Sequence, residues 1–371
     1  MIRRLLPVVL FVLTVAACVG AAPVSATGSG WIVVPSPAVT LSQMNGVIVN
    51  AGGDPVAVGY STDDPEGFSY PDVFAFYGGR WNQTAFHGIN GWFYAISQTS
   101  GREVAVGHGN ASGVIETRSV PGGRWHPPAS WNPRTHVHIT YTADATIPGS
   151  GHTLIVGWGR GTRPFSHRPV IAEFHGTHVS WVPVGFTVSE PPHWAIHATS
   201  VAVCSPSHGY IGVDSGSSPD RILSSHIWLW NGHEVTGKIS LPSGEEGITA
   251  IACLPGTSSL IVAVGHGDVY KLTGTTWTAI PYAAGNVDAV TSFAFSSATS
   301  GTAAAYSYSP IHYRMWTTLN WDGTTFQVTR PFHPSDTSAL FGAANGPGGR
   351  GTWVVGEFGF APLYTFVMHH A

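Results

Sequence analysis

Histidine is the residue type whose number and placement bear most directly on chemistry in this chain. There are 19 histidines against 16 lysines and arginines together. His136-Val137-His138 falls in a strand-like segment, where alternate residues share a face. His193 and His197 open the corresponding segment of the next repeat. Two imidazoles on one strand face, with a third from a neighbour, can bind zinc or another transition metal. The competing reading is histidines bonded to backbone groups or exposed at the surface. No cofactor other than such a metal is expected.

A second set of candidates follows a short apolar phrase that ends in Gly. The residues just after it are Tyr60, His108, Trp158, Ser215, His266, Ser307 and Glu357. Tyr60, His108, Trp158, His266 and Glu357 are the expected ligand-binding residues, because aromatic faces suit sugars and peptides. Other chemistries are less well supported. Asp63-Asp64-Pro65-Glu66 lacks the alternate spacing of a calcium loop. Glu190, Asp214, Asp268 and Glu357 are not paired as glycoside hydrolysis requires. No Gly-x-Ser-x-Gly elbow is present. Arg160, Arg163, Arg168 and Arg221 lack the boxes of a sialidase site. A lyase using His as base stays open.

The elements that must position these residues are repeats. Val56-Ala57-Val58-Gly59 returns as Val104–Gly107, Leu154–Gly157, Val262–Gly265 and Trp353–Gly356, about every 49 residues. Weaker copies stand at Ile211–Asp214 and Ala303–Tyr306. A second phrase, a Gly turn between aromatics, recurs as Phe76–Trp81, Gly122–Trp125, Trp230-Asn231-Gly232, Leu272–Trp277 and Trp321–Phe326. Gly there predicts φ > 0 in a hairpin. Four short strands per repeat predict an all-β, seven-bladed β-propeller. The last repeat lacks a fourth strand, and Trp31-Ile32-Val33-Val34-Pro35 has that strand's form. Residues 31–35 are therefore expected to complete the C-terminal blade and close the ring, leaving no exposed edges. A single propeller domain then spans residues 31–371.

These phrases resemble the seven-bladed propeller repeats of secreted actinobacterial proteins. Those repeats carry a Trp-x-Val-Val-Pro-Ser-Pro segment, an Ala-Val-Gly strand and a Trp-Asp-Gly turn. Trp31–Pro37, Val56–Gly59 and Trp321–Gly323 match them. The resemblance implies the fold and no particular activity, since most such repeats have none assigned. The chain lacks the Gly-His…Trp-Asp, kelch and sialidase signatures of better-known propellers.

Residues 1–26 read as a secretion signal. Arg3 and Arg4 precede the apolar stretch Leu5–Ala17, and Val24-Ser25-Ala26 fits a signal-peptidase site. Val15-Ala16-Ala17-Cys18 competes as a lipobox, which would place a lipid on Cys18 as the sole membrane attachment. Removing the signal leaves 14 basic against 20 acidic residues, with no basic stripe for nucleic acid. Cys204 and Cys253 sit at equivalent places in adjacent repeats. An exported chain usually pairs two cysteines, but the distance between repeats leaves a disulfide and two buried thiols both open. The expected protein is an exported monomer of the envelope or medium that binds a glycan or protein ligand on its rim. The alternatives are a hydrolase or lyase with a His-based site at the channel mouth, and a structural envelope module.

Overall fold

The computed structural model describes residues 30–34, 42–62, 69–85, 90–110, 112–120, 123–127, 138–160, 167–188, 194–218, 221–242, 247–283, 287–308, 314–329, 338–349, 351–358 and 364–370. The signal segment, Cys18, the acidic loop at 63–66, His136 and His193 lie outside them. No described helix is long and apolar enough to cross a membrane.

The chain is all-β, and its strands pair in antiparallel meanders. After β1 (Trp31–Val33), meander 1 holds β2 (Ser42–Val49), β3 (Pro55–Ser61), β4 (Tyr70–Tyr77) and β5 (Arg80–Ala85). Meander 2 has β6 (Gly91–Gln98), β7 (Arg102–Gly109) and β8 (Ser112–Ser119). Among the described residues, its expected fourth strand is represented by one bridge, Thr117 to His126. Meander 3 comprises β9 (Ile139–Ile147), β10 (His152–Arg160), β11 (His167–His175) and β12 (His178–Trp181). Meander 4 comprises β13 (Ala195–Ser205), β14 (His208–Ser218), β15 (Arg221–Trp230) and β16 (Val235–Ser240). Meander 5 comprises β17 (Ile248–Cys253), β18 (Ser259–Val264), β19 (Val269–Thr273) and β20 (Thr276–Ala279). The short β21 (Tyr282–Ala283) then pairs parallel to the last strand of meander 6. That meander has β22 (Ala289–Ser297), β23 (Ser300–Tyr308), β24 (Arg314–Trp321) and β25 (Phe326–Thr329). Meander 7 has β26 (Ser338–Asn345), β27 (Thr352–Phe358) and β28 (Tyr364–His370). Its fourth, outer strand is β1, with Trp31 opposite His370 and Val33 opposite Met368.

Burial explains why the chain adopts these strands. The middle of each second strand is a buried, mainly apolar stretch, as in Leu260–Val264. Apolar clusters fill the space between consecutive meanders. Met44, Ala57 and Phe74 of meander 1 pack on Trp353, Val355 and Val367 of meander 7. Leu154, Val156 and Ile171 of meander 3 pack on Ile196, Val213 and Trp228 of meander 4. First strands adjoin in order: β2 packs on β6, β6 on β9, β9 on β13, β13 on β17, β17 on β22, β22 on β26, and β26 on β2. A disulfide joins Cys204 at the end of β13 to Cys253 at the end of β17, with Cα atoms 5.5 Å apart. That separation lies inside the usual range, because adjacent first strands pack directly. The turn glycines Gly78, Gly232, Gly274 and Gly323 have positive φ, as the sequence predicts, and so does Gly176 between β11 and β12.

The recurring Gly has a different cause, close approach. Every first strand carries a β-bulge opposite the Val-Gly phrase. Where Gly stands opposite the bulge, a first-strand carbonyl comes so close that a Cβ on Gly107 would overlap Trp92 O. Gly59, Gly157 and Gly356 face the same clash with Gln43, Thr140 and Ala339. Gly107→Ala should therefore destabilise by about 1–3 kcal/mol, as overpacking does. Urea unfolding checks this, and an unchanged midpoint would remove the close-approach explanation.

Candidate ligand-binding rim

The bulges fix the equivalence between repeats and correct the phrase register in three of them. Val213, Val264 and Ala305 stand where glycine stands elsewhere. The residues equivalent to Tyr60, His108, Trp158 and Glu357 are then Asp214, Gly265 and Tyr306. Ser215, His266 and Ser307 lie one place further on. The sequence misleads here because these apolar stretches are longer than the phrase, so its frame can slip by one residue. His266 sits with φ 61° in a short 3-10 turn, Gly265–Gly267.

Side chains at the corrected positions reach the first strand of the next meander. His108 Nδ1 lies 3.3 Å from Thr140 Oγ1. Asp214 accepts hydrogen bonds from Ser225 Oγ at 2.7 Å and from Ile248 N at 3.0 Å. Burial outweighs those bonds and pushes its carboxyl up to about 6. Asp214 is thus a tie between meanders 4 and 5.

Tyr60 and its surroundings form an aromatic patch on meanders 1 and 2. The Trp92 ring centroid lies 6.4 Å from Tyr60, 6.1 Å from Tyr94 and 5.7 Å from His108. All four residues are half-buried. Tyr60 Oη donates to Gln43 Oε1 at 3.1 Å, and Gln43 Nε2 donates to Asn45 Oδ1 at 2.5 Å. Burial, then Glu357 of meander 7, then Tyr94 hold the Tyr60 hydroxyl above the usual phenol range.

Trp158 belongs to a second cluster, between meanders 3 and 4. The rings of His167 and His197 stack on its indole at 4.3 and 4.9 Å. His167 Nδ1 and His197 Nε2 are 2.6 Å apart, so one of them carries the shared proton. Burial, and then the His167 charge, bring His197 down to about 4. Burial, and then Arg160, also lower His167. Both imidazoles are therefore neutral at pH 7.

Of the expected metal set, His136 and His193 lie outside the described residues, and the other two are apart. His197 pairs with His167, while His138 is exposed, with φ 61°. No group of three or more metal-ligating side chains occurs among the described residues. His108 and His197 lie in separate clusters.

Between the first strands lies a cavity of about 290 Å³, lined by three residues of each. The bulged residues Asn45, Tyr94, Thr142, Thr199, Thr249, Thr291 and Phe341 form one level of it. Four of them stitch across to the next first strand. Asn45 Nδ2 donates to Phe93 O at 2.6 Å, and Thr142 to Ala198 O at 2.6 Å. Thr199 donates to Ile248 O at 3.3 Å, and Thr291 to Leu340 O at 2.6 Å. A Thr at the same place in four first strands is a signal that the sequence does carry. Gln43, Trp92, Tyr94 and His167 are the site residues that sequence reasoning missed. No protein-family model matches the chain, and no curated protein matches it.

Proposed function

We propose that this chain is an exported seven-bladed β-propeller, similar to the secreted actinobacterial repeats, that binds a glycan at one rim of its central channel. The return of β26 to β2 supports the closed ring, as do the apolar clusters between consecutive meanders. The signal-like residues 1–26 support export, with lipid on Cys18 as the competing form of attachment. The binding unit is the monomer.

The observation that carries the function is the half-buried patch of Tyr60, Trp92, Tyr94 and His108, with Gln43 and Glu357 beside it. Aromatic faces cover the C–H face of a sugar, while amide and carboxylate groups satisfy its hydroxyls. A protein ligand is the second reading, favoured by the same aromatics. Truncating a central aromatic anchor costs 2 kcal/mol or more, about 30-fold in affinity. A glycan array followed by calorimetry should thus show binding that Trp92→Ala weakens by about 30-fold. A peptide library that binds while no saccharide does would favour the protein ligand. Equal affinity of the variant and the parent for a bound saccharide would place the site elsewhere.

A further inference from the structure

Four of the seven bulged residues around the cavity follow a scaffold rule; of the other three, Thr249 is exposed and the two aromatic ones lie together. Asn45, Thr142, Thr199 and Thr291 each donate to a carbonyl of the next first strand. Tyr94 and Phe341 hold the same position with large aromatic rings that lack a short donor for that bond. They flank Asn45, one on each neighbouring meander. Sites that break a local rule in an otherwise consistent scaffold are expected to be functional. The rim patch stands over the same sector: Trp92 lies 6.1 Å from Tyr94, and Asn45 accepts from Gln43.

We infer that the cavity is a slot for a single terminal sugar ring that is neutral or carries an amine, and that acidic sugars are excluded. This rests on the rim reading above and adds to it the end-on entry of one unit. A volume of about 290 Å³ stands at the bottom of the roughly 300–1,000 Å³ range of small-ligand pockets. It holds one unit, and the rest of a chain lies along the rim. Tyr94 and Phe341 supply apolar faces on one side. Across from them, Thr142, Thr199 and Thr291 have spent their protons on carbonyls and offer only lone pairs. Lone pairs match the hydroxyl and amine hydrogens of a sugar. Among the described residues none that lines the cavity is basic, so a carboxylated sugar meets no countercharge there.

The test uses methyl glycosides of a neutral hexose, a hexosamine with a free amine and a hexuronic acid, titrated into the exported protein by calorimetry. Tyr94→Thr and Phe341→Thr install the residue that four sister positions carry. Trp181→Ala, on exposed β12, is the control. A neutral glycoside should bind, the uronic acid should not, and each Thr variant should weaken binding at least 10-fold while the control leaves it unchanged. If Tyr94→Thr fails to fold, Phe341→Thr carries the comparison. Suppose oligosaccharides bind and respond to Trp92→Ala, but no monosaccharide binds or both Thr variants match the parent. The slot is then overturned and the rim reading stands. Tighter binding of the uronic acid overturns the charge selection. Absence of any saccharide binding removes both.

Discussion

Paired Cys204→Ser and Cys253→Ser substitution is expected to cost about 4 kcal/mol of unfolding free energy, the chain-entropy value for a loop closed across 49 residues. The bond ties the ends of β13 and β17, which belong to neighbouring meanders. Cross-linking them shortens the unfolded chain by one large loop, and loop closure dominates the effect. The cysteines are also packed with Ile251 and Leu260, so removing the sulfurs subtracts some burial as well. Urea unfolding of the oxidised protein, the reduced protein and the double variant measures this. Coincident midpoints for all three would show that packing of β13 on β17 already constrains the two strands.

Asp144→Asn should raise stability at pH 8 by as much as about 4 kcal/mol. Asp144 occupies the place where sister meanders carry Val47, Ile96, Val201 and Ile251. Its Oδ2 accepts from Ser97 Oγ at 2.7 Å, while Oδ1 is buried without a partner. Burial pushes the carboxyl up to about 7, and the Ser97 bonds only partly oppose this. The folded state thus holds a proton that the unfolded state releases near pH 4. The associated stability is full below that pH and is lost as pH rises through 7. Asn keeps the Ser97 bond and never ionises. Glu116 acts in the same direction, raised by burial to about 7 with Oε2 unpartnered.

His197 and His167 work in the opposite sense at lower pH. Their folded pKa values are depressed, so their stabilisation is complete above about 6.5 and lost as pH falls, for His197 toward 4. Among the described groups with shifted values, the raised carboxyls set the slope from pH 6.5 to 8. The parent protein should lose stability between pH 6.5 and 8, and Asp144→Asn should lose less. Denaturant midpoints across this range read both effects, and a flat parent profile would contradict the assignment to buried carboxyls.

Much of the architecture was legible in the sequence because period-2 apolar strands and turn glycines are local signals. Trp31–Val33 could be assigned to the C-terminal sheet because it has the form of the strand that sheet lacks. That the described part of meander 2 shows only a bridge in place of a fourth strand was not legible, since the stretch before Trp125 has the same form as turns that do lead into a strand. The slip at Asp214, Gly265 and Tyr306 has a similar origin. An apolar stretch of five residues does not say which of them faces a bulge; only the pairing partner does.

The candidate site was legible in part. Tyr60, His108, Trp158 and Glu357 follow directly from the repeat phrase, so their equivalent places in the second strands were legible in the sequence. Trp92, Tyr94 and Gln43 lie on first strands, and their proximity to Tyr60 depends on how neighbouring meanders pack. His167 meets His197 through contact between β11 and β13, two strands 30 residues apart along the chain. The sequence by itself determined the strand content, the period and the side of the strands where aromatics and histidines collect, because these depend on local pattern. Tertiary structure alone decided the disulfide, the bulge frame, the His167–His197 pair and the cavity beside Tyr94. Each of these depends on contacts between meanders, and such contacts leave no periodic trace along the chain.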